Sequence, residues 1–194
     1  MKTRPLAQVT PIITNQELSD WLSGVDVNDP ILPILCESAT ESVIEYLQLE
    51  LVTRSREVTY TDWPEVGTGA CGLSPCNSTY DADIILPYAG LQSVTSVEVF
   101  GDTVTDYEIK AAVPSQIRFN IGVVQKVEDE DAIKIVYSAG FGQIGDVPTA
   151  IKLATLNLAA FLYDMRGACG ADDALSQSGA KMMLRPYKTN LVAL

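Results

Sequence analysis

A chain of 194 residues, 47% of them hydrophobic and with a formal charge of −12, suits one domain with a real core, which excludes disorder as the working description. No apolar run approaches the roughly 18–20 residues that span a bilayer, so no membrane partner is expected. The basic opening Met1-Lys2-Thr3-Arg4-Pro5 has no apolar stretch behind it, so the expectation is synthesis in the cytosol without a secretory leader.

The first element is a helix. Thr14-Asn15-Gln16-Glu17 reads as a capping box, in which the Thr14 hydroxyl accepts from the Glu17 amide and the Glu17 carboxylate accepts from the Thr14 amide. Leu18, Trp21 and Leu22 give it an apolar stripe, and Gly24 is a natural stop. Asp29-Pro30 opens a second helix, with Asp29 as N-cap and Pro30 at the first helical position, where its missing N–H is harmless. Its apolar face is Ile31, Ile34, Leu35, Ala39, Val43, Tyr46 and Leu47. Glu37, Glu41 and Glu45 fall on another face, where like charges four apart repel, so this acidic ridge needs either solvent or a function. The two N-terminal helices are expected within residues 14–50.

From about Val52 to Ser138 the apolar period changes from that of a helix to that of strands, predicting an antiparallel β-unit over 52–138. Strand candidates are Arg56–Thr61, Ile84–Leu86, Val94–Phe100, Asp106–Ala111, Gln116–Ile121 and Ala132–Tyr137. Gly101-Asp102 and Pro114-Ser115 supply turns, and the Gly-, Pro-, Ser- and Cys-rich stretch 63–80 reads as a long mobile loop. Glu128-Asp129-Glu130-Asp131 is an acidic run in the turn before the last strand. Val147-Pro148 then opens the longest helix, over 147–167, with Pro148 at its first position and Ile151, Ala154, Leu158, Phe161 and Leu162 as its buried stripe. Ala168–Gly179 is read as a small-residue loop. The final segment, 180–194, sets Met182, Met183, Leu184, Tyr187 and Leu191 beside Lys181, Arg185 and Lys188. Such terminal apolar-basic segments often dock on another subunit. The order helix, helix, β-unit, helix, tail predicts an α+β fold, a helical bundle with an inserted antiparallel β-unit and a C-terminal tail, in a single domain over 1–194.

Little in the chain carries chemistry. With no histidine, the usual general base for a serine or cysteine nucleophile is missing, so no catalytic residues are assigned. Gly140-Phe141-Gly142 with Gly145 has the look of a phosphate loop, but Asp146 and Pro148 stand at the helix start, adding a negative charge and removing an amide donor. A tight strand-to-helix reversal is the better reading. Cys36, Cys71, Cys76 and Cys169 lack zinc-ligand spacing and are read as free thiols. The Glu128–Asp131 run lacks the alternating ligands and turn glycine of a calcium loop. No cofactor or metal is therefore expected. No Lys or Arg occurs between Pro5 and Thr53, nor from Glu57 to Ile109, which disfavours tight DNA binding. The acidic excess either keeps the protein soluble or makes a wall past which DNA slides without sticking.

Four ordered stretches resemble the head–tail connector (adaptor) family of tailed bacteriophages. The first runs from Ile12-Ile13-Thr14 through Val25-Asp26-Val27-Asn28-Asp29 to Ile44-Glu45-Tyr46-Leu47. The second is Tyr60-Thr61-Asp62-Trp63-Pro64. The third is Leu86-Pro87 with Leu91-Gln92-Ser93-Val94-Thr95-Ser96-Val97. The fourth is Ile135-Val136-Tyr137-Ser138-Ala139-Gly140-Phe141-Gly142, continuing through Val147-Pro148-Thr149-Ala150-Ile151-Lys152 to Tyr163. Leu49-Glu50-Leu51 departs from the Thr-Gly-Arg-like turn common in the family, and the Cys71–Cys76 loop lies outside its pattern.

The resemblance implies a non-enzymatic virion protein of the neck. Its ring of about twelve copies would bind the portal, extend the DNA channel and offer a platform to a stopper or tail protein. Glu37, Glu41, Glu45 and Glu128, Asp129, Glu130, Asp131 become candidates for the channel lining, past which double-stranded DNA moves without sequence-specific binding. Met182, Met183, Leu184, Arg185, Tyr187, Lys188 and Leu191 become candidates for portal docking. A stopper or tail-completion ring is the alternative within this class. An acidic DNA mimic that occupies a basic partner is the alternative outside it.

Overall fold

A computed structural model describes residues 1–61, 82–110, 115–119, 132–165 and 171–188. The expected loop at 63–80, the run Glu128–Asp131, Leu191, and Cys71, Cys76 and Cys169 lie outside the described residues. In chain order the elements are β1 (Lys2–Pro5), α1 (Asn15–Leu22), α2 (Ile31–Leu47), β2 (Arg54–Tyr60), β3 (Ala82–Ile85), β4 (Leu91–Val99), β5 (Asp102–Thr103), β6 (Tyr107–Lys110), β7 (Gln116–Phe119), β8 (Ile133–Ala139), α3 (Thr149–Asp164), α4 (Ala171–Gln177) and α5 (Ala180–Leu184). The fold is α+β, as expected. Two compact units emerge: a β-unit from Met1–Ala7 and Arg54–Gly140, and a helical unit from Gln8–Thr53 and the stretch beginning at Phe141.

In the β-unit, β8 is the centre of an antiparallel sheet of order β1-β2-β8-β4-β5. Its side chains alternate, with Ile133, Ile135, Tyr137 and Ala139 buried and Lys134, Val136 and Ser138 half-buried on the other face. This is the pattern of a strand with one face on a core. β2 pairs with it from Arg54↔Ala139 to Tyr60↔Ile133 and adds Val58 and Tyr60 to that core. A second antiparallel sheet, β3-β7-β6, adds Ile84, Ile117 and Phe119. The Tyr60 hydroxyl donates to the Ile85 carbonyl at 2.8 Å, joining a strand of one sheet to a strand of the other. Burial, and secondarily the neighbouring Tyr137, raises the pKa of the Tyr60 phenol, so it stays a donor.

Three strand-level expectations change. β1 was not anticipated, because Lys-Thr-Arg-Pro carries no apolar alternation; the sheet therefore takes a strand from the chain start and is not simply inserted between helices. The turn after β4 is Phe100-Gly101, with φ of 56° and 80°, one residue earlier than the expected Gly101-Asp102. Two successive left-handed residues match the twist of the flanking strands. β4 begins at Leu91 and carries two irregularities, between Leu91 and Ser93 and between Val94 and Ser96, which broke the alternation that marks a strand.

In the helical unit, α1 has the expected capping box: the Glu17 amide donates to Thr14 Oγ1 at 3.2 Å, and the Thr14 amide donates to the Glu17 carboxylate at 2.7 Å. Leu18 is buried, but Trp21 is 49% exposed, so the expected stripe is narrower than written. α2 starts at Ile31; Pro30 precedes it with helical angles, and the Asp29 carboxylate accepts from the Ile31 amide at 3.0 Å. Its buried face is Leu32, Cys36, Ala39, Thr40, Val43, Ile44 and Leu47. Ile34, expected inside, is 60% exposed because it shares the face of Glu37, Glu41 and Glu45.

α3 packs against α1, α2, α4 and α5 and buries Ile151, Ala154, Thr155, Leu158 and Ala159. Small residues at 154 and 159 permit close helix approach. Pro148 is the residue before the helix, with extended φ and ψ of −53° and 134°, rather than its first turn. α4 forms where a small-residue loop was expected. Ala174 and Leu175 anchor it to the core at 0% and 3% exposure, so packing overrides the weak local preference.

Candidate functional site: assembly surfaces

The end of the Tyr137–Gly142 segment is held by hydrogen bonds to the backbone of Gly140 and Gly142. The Gly140 amide donates to the Gly90 carbonyl at 2.9 Å, and Gln92 Nε2 donates to the Gly140 carbonyl at 2.9 Å. Within the helical unit, the Thr53 amide donates to the Gly142 carbonyl at 2.9 Å. The Gln143 amide donates to Asp146 Oδ2 at 2.8 Å. Gly142 sits at φ 126°, and a Cβ there would lie 2.6 Å from Asp146 Oδ2. The carboxylate thus takes the amide that a phosphate cradle would offer, and its charge repels an anion. Phe141 and Ile144 stay exposed at 38% and 39%.

The acidic ridge on α2 forms as the helical spacing requires: Glu37, Glu41 and Glu45 are all exposed, along with Ile34 and Ser38. Cys36 lies on the opposite, buried side. Burial first, then the nearby charges of Glu17 and Glu37, push its thiol up to about 11, which keeps it protonated and inert at neutral pH.

The C-terminal segment is only partly a free surface. Leu184 is fully buried, in the core with α3, which corrects its place among the docking candidates. Leucine at this position closes a helix–helix contact that local sequence cannot reveal. Met183 is half-buried, its sulfur accepting from Asn157 Nδ2 at 3.6 Å. Lys188 and Lys181 place their ammonium groups 4.6 Å and 5.9 Å from the centre of the Tyr46 ring, so this aromatic of α2 holds both cations. Met182 at 82% and Arg185 are exposed, and Tyr187 is half-buried.

Sequence reading missed one constellation. On the face of the β-unit sheet turned from its core, a ladder of alternating charge crosses four strands. Arg4 Nε lies 2.7 Å from Glu57 Oε1; Lys134 Nζ lies 3.5 Å from Glu57 Oε2 and 3.8 Å from Glu98 Oε2. The register that aligns them is Arg4↔Glu57, Thr59↔Lys134 and Glu98↔Lys134. Strands β2, β8 and β4 each bring a single charge to this face, Glu57, Lys134 and Glu98, and Arg4 comes from β1, so no one strand signals the ladder and it emerges only from the pairing. On the core side of β2, the Arg56 guanidinium stacks 3.4 Å from the centre of the Tyr88 ring. Among the described residues, no group of His, Cys, Asp or Glu is arranged to hold a metal, and no helix is long and apolar enough to cross a membrane.

No protein-family model and no curated protein matches the sequence. Solved structures do match the fold. A chain from the neck of an empty gene transfer agent particle, computed with C6 symmetry, aligns at TM-score 0.64 and 18% identity over 92% of this chain and 95% of that one. A chain from the neck of the native particle, computed with C12 symmetry, aligns at 0.63 and 18% over 92% and 94%. A chain from the virion of the native particle aligns at 0.64 and 17% over 91% and 94%. The chain shares its fold with proteins of a particle neck. At this identity, the likeness is one of fold, over 91–92% of this chain.

Proposed function

We propose that this chain is a structural virion protein of the neck, a head–tail connector that works as a ring of copies and performs no catalysis. The observation that carries the reading is the fold match, which extends over 92% of this chain and 95% of a neck chain. The symmetric necks from which two of the matches come support a closed ring, and twelve copies fit the C12 case. In this reading the ring binds the portal, extends the DNA channel and offers its far side to a stopper or tail protein. Glu37, Glu41 and Glu45, together with the Glu128–Asp131 run, line the lumen and repel passing duplex DNA. Docking on the portal falls to the exposed Met182, Arg185 and Lys188 and the half-buried Tyr187 of the C-terminal segment, with Leu191 beyond.

The test is electron microscopy of the purified chain mixed with the portal of its own particle. Ring-shaped density added to one end of the portal is expected. A monomer or dimer that leaves the portal bare but binds a basic protein would instead identify the acidic DNA mimic.

A further inference from the structure

Residues 1–11 form an arm that contributes no buried side chain. Positions 1–8 are all exposed, and the first core residue is Ile12, at 2% exposure. The arm nevertheless completes the sheet: Lys2, Thr3, Arg4 and Pro5 pair with Thr59, Val58, Glu57 and Arg56, and the Leu6 amide donates to the Ser55 carbonyl at 3.0 Å. Its side-chain tie to the sheet is the Arg4–Glu57 ion pair. A solvent-open hollow of about 360 Å³, lined by Lys2, Thr3, Arg4, Glu57 and Thr59, runs along the arm's exposed flank. Arm and sheet are thus joined by backbone pairing and one charge contact. Both are equally available from an identical strand.

We propose that β1 is exchanged between neighbouring copies, each laying its Lys2–Pro5 strand on the β2 edge of the next. This rests on the ring reading above. The recognising edge is β2, where Glu57 selects a strand with a cation at its third position. The outer edge of β1 is a poor partner, because Lys2, Arg4 and Pro5 are the residues that discourage further strand pairing. Residues 6–11 are exposed or half-buried, and when extended they reach roughly 20 Å, enough to carry the strand to an adjacent subunit. A head-to-tail contact of this kind closes on itself in a ring, so that every β2 edge is filled.

The test uses the full-length chain with Lys2→Cys and Thr59→Cys, its native cysteines replaced (Cys36→Ala, and Ser at 71, 76 and 169). The two introduced thiols are a direct cross-strand pair. After mild oxidation, exchange gives a ladder of linked chains on a non-reducing gel, whereas pairing within a chain gives only the monomer band. Particle mass is measured on the same sample. Rings that run as monomers overturn the exchange and leave the ring reading standing; monomeric particles that run as monomers overturn both. As a second variant, deletion of residues 2–7, which removes Arg4 and the β1 pairing, is expected to lower the denaturation midpoint of the isolated chain slightly while leaving it folded. It should raise the concentration at which rings dissociate at least tenfold. Rings as resistant to dilution as the full chain's would equally overturn the exchange.

Discussion

Arg4 and Glu57 meet at 2.7 Å across β1 and β2, and Lys134 approaches the same carboxylate from β8 at 3.5 Å. The hydrogen bond from Arg4 leads in holding the Glu57 carboxyl below the usual carboxylate range, against the opposing cost of burial; the charges of Arg4 and Lys134 act in the same sense. A group depressed in the folded state adds stability above its unfolded pKa and loses it as pH falls through the folded one. Glu57→Gln should therefore destabilise the protein by about 1–2 kcal/mol at neutral pH. The gap to the parent should close on acidification below the ordinary carboxylate pKa. Urea midpoints measured from pH 7 down to pH 3 check this; a gap independent of pH would refute it.

Gly142 is required for two separate reasons, its φ of 126° and the Asp146 oxygen that a Cβ would meet at 2.6 Å. Gly142→Ala should cost about 2–3 kcal/mol. Adding Asp146→Ala should relieve the collision but not the backbone strain, and it also removes the acceptor for the Gln143 amide. The double variant should thus stay well below the parent in chemical denaturation.

Leu184 and Met182 lie two residues apart but have opposite roles. Leu184→Ala opens a cavity beside α3 and should cost about 2–4 kcal/mol. Met182→Ala, at a site 82% exposed, should leave the melting temperature within about one degree. If the docking proposal holds, Met182→Ala combined with Arg185→Ala weakens portal capture while the fold is intact. Unchanged capture by this folded variant would rule out these two side chains as docking residues.

Much of this fold was legible locally. The Thr14/Glu17 box and the alternation of Ile133, Ile135 and Tyr137 are set by neighbours in sequence and appear where local rules place them. Helix α2 instead takes Pro30 as its N-cap, one residue later than the expected Asp29. Trp21, Ile34 and Leu184 were misassigned because a helical stripe fixes which residues share a face but not how far the partner helix covers it. β1 stayed hidden because its pairing depends on β2, some fifty residues on, and its own side chains bury nothing. The Arg4–Glu57–Lys134–Glu98 ladder was invisible for the same reason: it exists only once four strands are in register.

Cys36 should be silent to thiol reagents in the folded chain. With its thiol pushed up to about 11 and its side chain 1% exposed, carbamidomethylation at pH 8 should mark Cys36 only after denaturant is added. Peptide mass mapping distinguishes it from the other cysteines. Full labelling in native buffer would contradict the packing of α2.

Ring assembly on a portal is the property proposed here for this chain. Single-particle images of the full-length protein with its portal test it most directly. The account predicts a coaxial ring on the portal, with a subunit count that matches its symmetry and an open lumen lined by α2. A chain that stays monomeric and leaves the portal bare at saturating concentration would contradict it.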